Sequence, residues 1–363
     1  MIYLAWVVFG FTFFQLCIAG LNYFFREKIP ISTNRISDEK ISVLIPARNE
    51  EQHIGNLLSD LSGEDDNILE IIVFDDLSSD HTVEIVNQFI GTNEKIRLIR
   101  STHLPAGWLG KNFACYSLAN AASGNYFLFL DADVRLEKEI VVSLVKFFQQ
   151  KSLHLLSIFP TQLMMTKGEK MTVPNMNYIL LTLLLLPLVR KLSFPSISAA
   201  NGQFMLFDAD TYKKFQPHEK FKDKRVEDIE IARFYKKLKL KIACLTGIKQ
   251  VRCRMYENFA EAVNGFSKNV IHFFGNSFLI AVLFWIVTTF GWLAVWLAFG
   301  LPTLAVYLLA VVCIRIFFSL ASNQSILDNL IFFIPQQFSL GIFIYQALIN
   351  RSKNQYLWKG RKV

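Results

Sequence analysis

The sequence predicts an α/β protein, a mostly parallel sheet covered on both faces, with helical transmembrane segments at both ends. Three observations lead there. Between Arg26 and Gly275, short apolar runs ("ISVLIPA", "EIIVFDD", "KIRLIR", "YFLFLDADV") alternate with helical stretches, and runs that are apolar throughout mark strands buried on both faces. Residues 1–25, 276–314 and 329–350 contain no Lys, Arg, Asp or Glu, and each holds a stretch near the roughly 20 apolar residues that cross a bilayer. Acidic residues gather where the apolar runs end, at Asp75, Asp76, Asp131 and Asp133. In open α/β sheets that edge is where ligands bind.

Hydrophobic residues make up 52% of the 363, with 34 Phe, so part of the chain is built for lipid. Spans are expected at Ile2 to Phe25, Ser277 to Ala298, Thr303 to Ser322 and Leu330 to Ile349. The first lacks the basic start of a signal peptide and exceeds its roughly 7–15-residue apolar core, so it reads as an uncleaved anchor. The chain then divides into an anchor at 1–25, a working block at 26–275, C-terminal transmembrane or re-entrant helices at 276–350 and a basic tail at 351–363. Arg26 and Lys28 follow the first span and place the block in the cytoplasm of a bacterial-type inner membrane. Basic residues of the tail favour that side too. Three further crossings would contradict this, and Pro335, Gln336 and Gln337 point to a re-entrant or interfacial hairpin that restores parity.

The net charge of +8 sits close to the membrane segments, which favours anionic lipid headgroups as partners over nucleic acid. Five scattered cysteines without paired spacing exclude a zinc site or a disulfide frame.

Within the block, "ISVLIPARNEE" is a strand ending in a turn and followed by a helix over 50–62. "EIIVFDDLSSDHT" repeats the plan, with Ser79 or Asp80 as the cap of the next helix. "KIRLIR" is a third strand, "NFACYSLANAAS" a helix and "YFLFLDADV" a fourth strand. "LHLLSIFP" and "NGQFMLFDAD" add strands, and "EDIEIARFYKKLKL" is an amphipathic helix. "YILLTLLLLPLVRKL" is too short to span; a buried helix competes with a segment at 178–194 lying in the membrane face.

Two aspartates spaced i, i+2 after a buried strand crowd two charges, which a cation relieves. Oxygen-only ligands suit Mg²⁺ or Mn²⁺ shared with substrate phosphates; helix capping is the competing reading. Asp75 and Asp76 suit a nucleotide's base or ribose, and Ala47, Asn49 and Glu50 in "ARNEE" offer a further polar rim. "GWLGKN" supplies Lys111 as a phosphate partner. Glu227 and Asp228 open a helix, where capping again competes.

In order, "VLIPARNEE", "VFDDLSSDHT", "GKNFAC", "FLDADV" and "VEDIEIA" resemble the family 2 glycosyltransferases, inverting enzymes with the nucleotide-sugar-binding (Rossmann-like) fold called GT-A. The resemblance spans roughly residues 41 to 270. It implies that Asp75 and Asp76 hold the uridine end of a UDP-sugar, that Asp131 and Asp133 hold the ribose and a metal on the diphosphate, and that Asp228 is the general base with Glu227 beside it. Asn201, Gly202 and Gln203 of "NGQF" resemble the acceptor-side strand. Processive members carry Q-x-x-R-W after the base; here "AEAVNGFSKNVIHFF" has neither Trp nor Arg, which argues against polymer synthesis. "RMYENFAEAVNGFSKN" and "WKGR" resemble the membrane-anchored subgroup that glycosylates carotenoid acids and related hopanoid or sphingoid (ceramide-type) lipids, so the expected acceptor is a membrane lipid. Lys268 and Asn269 then stand on the acceptor side, with contact to lipid headgroups as the competing role for Lys268. A polyprenyl-phosphate sugar synthase and a nucleotide-binding membrane protein without activity are the alternatives.

Overall fold

The computed structural model describes residues 1–31, 39–62, 67–353, 357–358 and 361–362. Helix α1 (Ile2–Phe24) leads into β1 (Ile41–Ala47), α2 (Ile54–Ser62), β2 (Ile68–Asp75), α3 (Thr82–Ile90), β3 (Ile96–Arg100), α4 (Gly110–Ala121) and β4 (Tyr126–Leu130). This is the expected alternation. Helix α2 begins later than expected because Asn49 takes a positive φ of 52° and a turn intervenes, its Glu50 carbonyl accepting the N–H groups of His53 and Ile54. The cap residue of α3 is His81, while Asp80 Oδ1 accepts Thr82 N–H at 3.1 Å.

Beyond β4 come β5 (Val134–Leu136), α5 (Ile140–Gln150), β6 (Leu155–Phe159), β7 (Thr161–Gln162), α6 (Lys167–Thr172), α7 (Pro174–Leu183), α8 (Leu186–Lys191) and β8 (Phe204–Asp208). Then follow α9 (Ala209–Phe215), α10 (Pro217–Lys220), α11 (Glu227–Lys237), β9 (Ile242–Thr246) and β10 (Val251–Cys253). The block closes with α12 (Phe259–Asn269) and a short 3-10 helix, Val270–Phe274.

The main sheet has seven strands in the order β3-β2-β1-β4-β8-β6-β9. Strands β3, β2, β1 and β4 run parallel, and β8 is antiparallel to both β4 and β6. That reversal brings the start of β8 to the edge where β1, β2 and β4 end. A second sheet, β5-β10-β7, stands beside it. Strand periodicity sends alternate side chains to opposite faces. Val43, Ile45, Ile71, Val73, Leu128 and Leu130 pack with α2, α3 and α5. Leu44, Ile72, Phe74, Phe127 and Phe129 belong to a core that also takes in Tyr178 of α7, Tyr235 of α11, Phe266 of α12 and residues of the long apolar helices. The second face of the sheet is thus continuous with the apolar end of the molecule.

That end is formed by α1, α13 (Phe278–Ser322), α14 (Ile326–Ile331) and α15 (Phe333–Lys353). Among the described residues, α1 and α13 are long and apolar enough to cross a membrane. Helix α13 is broken at Gly300, whose φ of 76° and ψ of −173° no helix accommodates, one residue ahead of Leu301 and two ahead of Pro302. Its halves fold back on each other: a Cβ on Gly291 would stand 3.2 Å from the Tyr307 hydroxyl and 2.6 Å from Val8 of α1. The two expected central spans are therefore the arms of a hairpin against α1. Trp6, Phe13, Leu279, Leu297 and Leu309 are exposed on these helices, an apolar belt suited to lipid.

The fourth expected span differs. Helix α15 does not qualify as a crossing segment and packs on α6, α12 and α13. Its polar residues explain why: Gln336 donates to the Lys170 carbonyl and to Asn329 Oδ1, and Ser339 to the Met171 carbonyl. Arg315 of α13 donates to Gln336 Oε1 at 2.6 Å, and its guanidinium lies 4.4 Å from the Tyr178 ring and 4.6 Å from that of Phe333.

The segment at 178–194 is covered by α1 over its first half. Gln15 donates to Thr182 Oγ1, and Asn22 binds the Leu181 and Leu184 carbonyls while accepting Leu186 N–H. The backbone groups freed at the junction of α7 and α8 find their partners on α1, and Arg190 pairs with Glu27 at 2.6 Å. Of the basic tail, residues 354–356, 359–360 and 363 lie outside the described residues; Leu357–Trp358 pairs with Arg361–Lys362.

Candidate active site

The loop after β1 and the loop after β2 are laced together. Asp76 N–H donates to the Ala47 carbonyl at 2.8 Å, Asn49 N–H to Ser78 Oγ at 3.0 Å, Ser79 N–H to Asn49 Oδ1 at 2.9 Å and Glu50 N–H to Thr82 Oγ1 at 2.8 Å. Asp75 and Asp76 are buried, and Asp75 Oδ1 accepts Ser78 N–H at 3.1 Å. Ala47, Asn49, Glu50, Asp75 and Asp76 thus lie together on one rim.

Beside it lies a denser cluster. Asp131 follows β4 and its backbone N–H donates to the Gln203 carbonyl at 3.1 Å. Lys111, in the first turn of α4, reaches Asp131 with its Nζ 2.6 Å from Oδ1 and 2.8 Å from Oδ2, and it also donates to the Gly202 carbonyl at 3.3 Å. Gly202 N–H in turn donates to Asp228 Oδ2 at 3.0 Å, while Asp228 Oδ1 accepts Ile229 N–H at 2.8 Å. Asp131, Lys111, Gly202 and Asp228 make an unbroken hydrogen-bonded chain across the cleft. Position 202 is a close fit, since a Cβ there would stand 3.1 Å from Lys111 Nζ and 3.4 Å from Glu227 Oε1.

Neither capping alternative describes these acids. Asp131 and Asp133 are followed by β5, not a helix, and α11 has Val226 as its cap residue. The helix start is positioned by Asn112, whose amide donates to the carbonyls of Phe221 at 2.9 Å, Lys222 at 3.2 Å and Lys224 at 2.9 Å.

Electrostatics follow from four carboxylates facing one lysine. Burial raises Asp133, and the charge of Asp131 raises it further. Burial pushes Glu227 up to about 8 against the pull of Lys111, with Asp228 adding to the rise. Asp228 is raised by burial, moderated by the Ile229 and Gly202 N–H groups and by Lys111. Burial works against the Lys111 charge, yet Asp131 and Glu227 raise it overall. About a quarter of each of the Lys111 and Asp131 side chains is nevertheless open to solvent, so the pair stands on the cleft floor, crowded by protein but reachable.

Asp133 Oδ2 accepts from Gln203 Nε2 at 3.3 Å, whereas the buried Oδ1 has no partner among the described residues. An anionic oxygen left unshared beside a second carboxylate fits a hard divalent cation. Among the described residues no three His, Cys, Asp or Glu side chains gather into a complete ligand set, so substrate oxygens would have to finish the shell.

Asn201, Gly202 and Gln203 do join the cluster. Lys268 and Asn269 do not: they end α12, and no hydrogen bond or ion pair among the described residues links them to it. Burial lowers Lys268. Three residues beside Asp133 escaped sequence reasoning, namely His53, Cys253 and Tyr256, which the fold alone brings near. His53 and Cys253 stand in no recognisable pattern, and Tyr256 lies in "RMYENFAEAVNGFSKN" without being singled out there.

Residues 42–182 match the family model described as Glycosyl transferase family 2. A 4,4'-diaponeurosporenoate glycosyltransferase of Staphylococcus haemolyticus is 28% identical over 241 residues, 64% of this chain and 61% of that protein. The protein of the same name from Staphylococcus aureus is 32% identical over 137 residues, 37% of this chain and 35% of that one. The chain thus spans less than two thirds of the length of these curated relatives. Among solved structures, a mannosyltransferase from Pyrobaculum calidifontis in complex with GDP-Man and Mn²⁺ superposes with a TM-score of 0.56, covering 96% of this chain and 99% of that one at 13% identity. That likeness is one of fold.

Proposed function

We propose, from the premise that this chain carries a family 2 glycosyltransferase domain with the GT-A fold, that it transfers a sugar from a nucleoside-diphosphate donor to a membrane lipid by a single inverting displacement. The observation that carries the reading is the hydrogen-bonded chain from Asp131 through Lys111 and Gly202 to Asp228, which sets a leaving-group side and a base side across one cleft.

On the leaving-group side, Lys111 supplies a fixed cation toward the diphosphate as the sugar departs. The rim of Ala47, Asn49, Glu50, Asp75 and Asp76 takes the nucleoside, uridine being the expected base. Asp133 Oδ1, with Asp131 beside it, would hold Mg²⁺ or Mn²⁺, which when bound adds positive charge at the diphosphate oxygens.

On the other side, Asp228 accepts the acceptor's proton. Two backbone N–H groups fix its carboxylate, and burial makes it a stronger base than a surface aspartate. Glu227, pushed up to about 8, keeps its proton at neutral pH and leaves that task to Asp228. The lipid acceptor is supported by the sheet face whose core continues into the apolar helices. The related proteins named for a carotenoid acid favour a carboxylate as the accepting group. A carboxylate arrives ionised, and Asp228 would then serve to orient it rather than to deprotonate it. In this reading the catalytic block faces the cytoplasm beside anionic headgroups, supported by Arg26 and Lys28 directly after the first apolar helix.

The test is hydrolysis and transfer of radiolabelled UDP-sugars by membranes containing Asp131→Ala or Asp133→Ala. Loss of both activities in both variants is expected; near wild-type rates in either would sink the assignment.

A further inference from the structure

Gln203, expected on the acceptor side, grips both acids of the D-x-D turn. Its carbonyl accepts Asp131 N–H at 3.1 Å, extending the antiparallel ladder in which Leu130 faces Phe204. Its side-chain Nε2 lies 3.3 Å from Asp133 Oδ2 and 2.9 Å from Cys253 Sγ. Cys253 ends β10, where it faces Val134 of β5 in the second sheet, and its Sγ accepts from the same Gln203 amide that donates to Asp133. The Asp133 carboxylate is held by Gln203, and Gln203 is braced in turn by a residue of the second sheet.

Both residues are buried, Gln203 to 5% exposure and Cys253 to 0%, so neither has bulk water as a substitute partner. The amide orientation follows from chemistry: Nε2 attracts a carboxylate and Oε1 would repel it. A carboxylate fixed through one oxygen presents the other in a set direction, and that other oxygen, Oδ1, is the one without a partner among the described residues.

We propose that Gln203 and Cys253 are positioning residues of the leaving-group half, holding Asp133 so that its Oδ1 is kept for a divalent cation on the donor diphosphate. The proposal rests on the glycosyltransferase reading. It moves Gln203 from one side of the reaction to the other and gives a role to a buried thiol that no motif contains.

Calorimetric titration of the full-length protein in detergent with UDP, and separately with GDP, across a Mn²⁺ series reads the half-saturating Mn²⁺ concentration without turnover. Gln203→Met keeps length and removes the donor, and it should raise that concentration about 10- to 100-fold, the range typical of residues that orient metal ligands. Cys253→Ala should raise it in the same direction, and Cys253→Ser, which keeps an acceptor, should restore it. A folded Gln203→Met protein with unchanged Mn²⁺ and nucleotide dependence overturns the proposal. Should Gln203→Met fail to show a melting transition, the Ala and Ser variants of Cys253 decide it: equal values in the two overturn it. Nucleotide binding by the wild type that ignores Mn²⁺ overturns this proposal alone, and absence of binding to either nucleotide overturns the glycosyltransferase reading with it.

Discussion

Charge is buried in two regions of this molecule, and they handle it in opposite ways. In the cleft, Asp131, Asp133, Glu227 and Asp228 crowd around Lys111, so acids outnumber the cation and several are pushed from their ordinary titration range. At the apolar end, the lone guanidinium of Arg315 meets no carboxylate among the described residues; Gln336 and the rings of Tyr178, Phe318 and Phe333 surround it. Gln336 is itself tied to Asn329 and the Lys170 carbonyl, and Asn175 binds Ser339 and the Gln336 carbonyl. The contrast separates two uses of a buried charge. A cluster with unbalanced like charges is poised for a ligand, whereas a charge spread over amides and π faces fastens helices together.

The sharpest way to break that contrast is Asp228→Asn. With a hydroxyl acceptor, transfer should fall about 10²- to 10⁴-fold while nucleotide binding holds, since only the proton acceptor is lost. With a carboxylate acceptor the loss should be far smaller, and initial rates with the two acceptor classes check it.

Next comes the apolar end, measured by thermal denaturation in detergent. Gln336→Leu strips Arg315 of its hydrogen-bond acceptor and should cost about 2–3 kcal/mol. Arg315→Met removes the charge itself and should cost less, because no opposite charge is left behind. The reverse order would make Arg315 a site of the cleft's kind.

A smaller effect separates the titration behaviour. Glu227 has a folded pKa raised above its unfolded value near 4.5, so the unfolded chain gives up that proton first as pH rises. Its contribution is fully present below about 4.5 and is lost as pH climbs through about 8. The melting temperature of the wild type should therefore fall relative to Glu227→Gln between pH 5 and about 8.5, by about 2–4 °C per kcal/mol for a domain of this size. The smallest effect is expected for Gly202→Ala, whose added methyl displaces the flexible end of Lys111 by tenths of an ångström; a loss of activity under about tenfold, a fraction of that for Asp228→Asn, is the expected outcome.

How much was legible in the sequence follows from where the signals lie. The parallel strands read correctly because each apolar run and the acids ending it are local, and a shared sheet edge then brings Asp75, Asp76, Asp131 and Lys111 toward one cleft. The reversed strand β8 was legible as a strand, but its direction depends on pairing with β4 across a long connection. For the same reason the grip of Gln203 on Asp133, with Cys253 behind it, left no trace in local pattern. The last apolar segment gave two signals, a length that satisfied a crossing helix and the Pro335, Gln336 and Gln337 that pointed to a re-entrant hairpin, while the partners of Gln336 and Ser339 lie in α6, far away in sequence. The Leu-rich stretch around Pro187 left two readings open for the same reason, its broken backbone being satisfied by Asn22 from the chain's first helix.

The turn at Gly300 finally sets the molecule's ledger of entrances and exits. Because the arms of α13 fold back on each other, the chain returns beside the block it left, and Trp6 near the start of α1 meets Phe299 at the turn, their rings 5.1 Å apart. One rim of the helical bundle holds the first residues and the turn; the sheet-bearing block with its acidic cluster lies toward the opposite rim. A single glycine, by sending a forty-five-residue helix back on itself, keeps α15 packed against α6 and α12 of the sheet-bearing block.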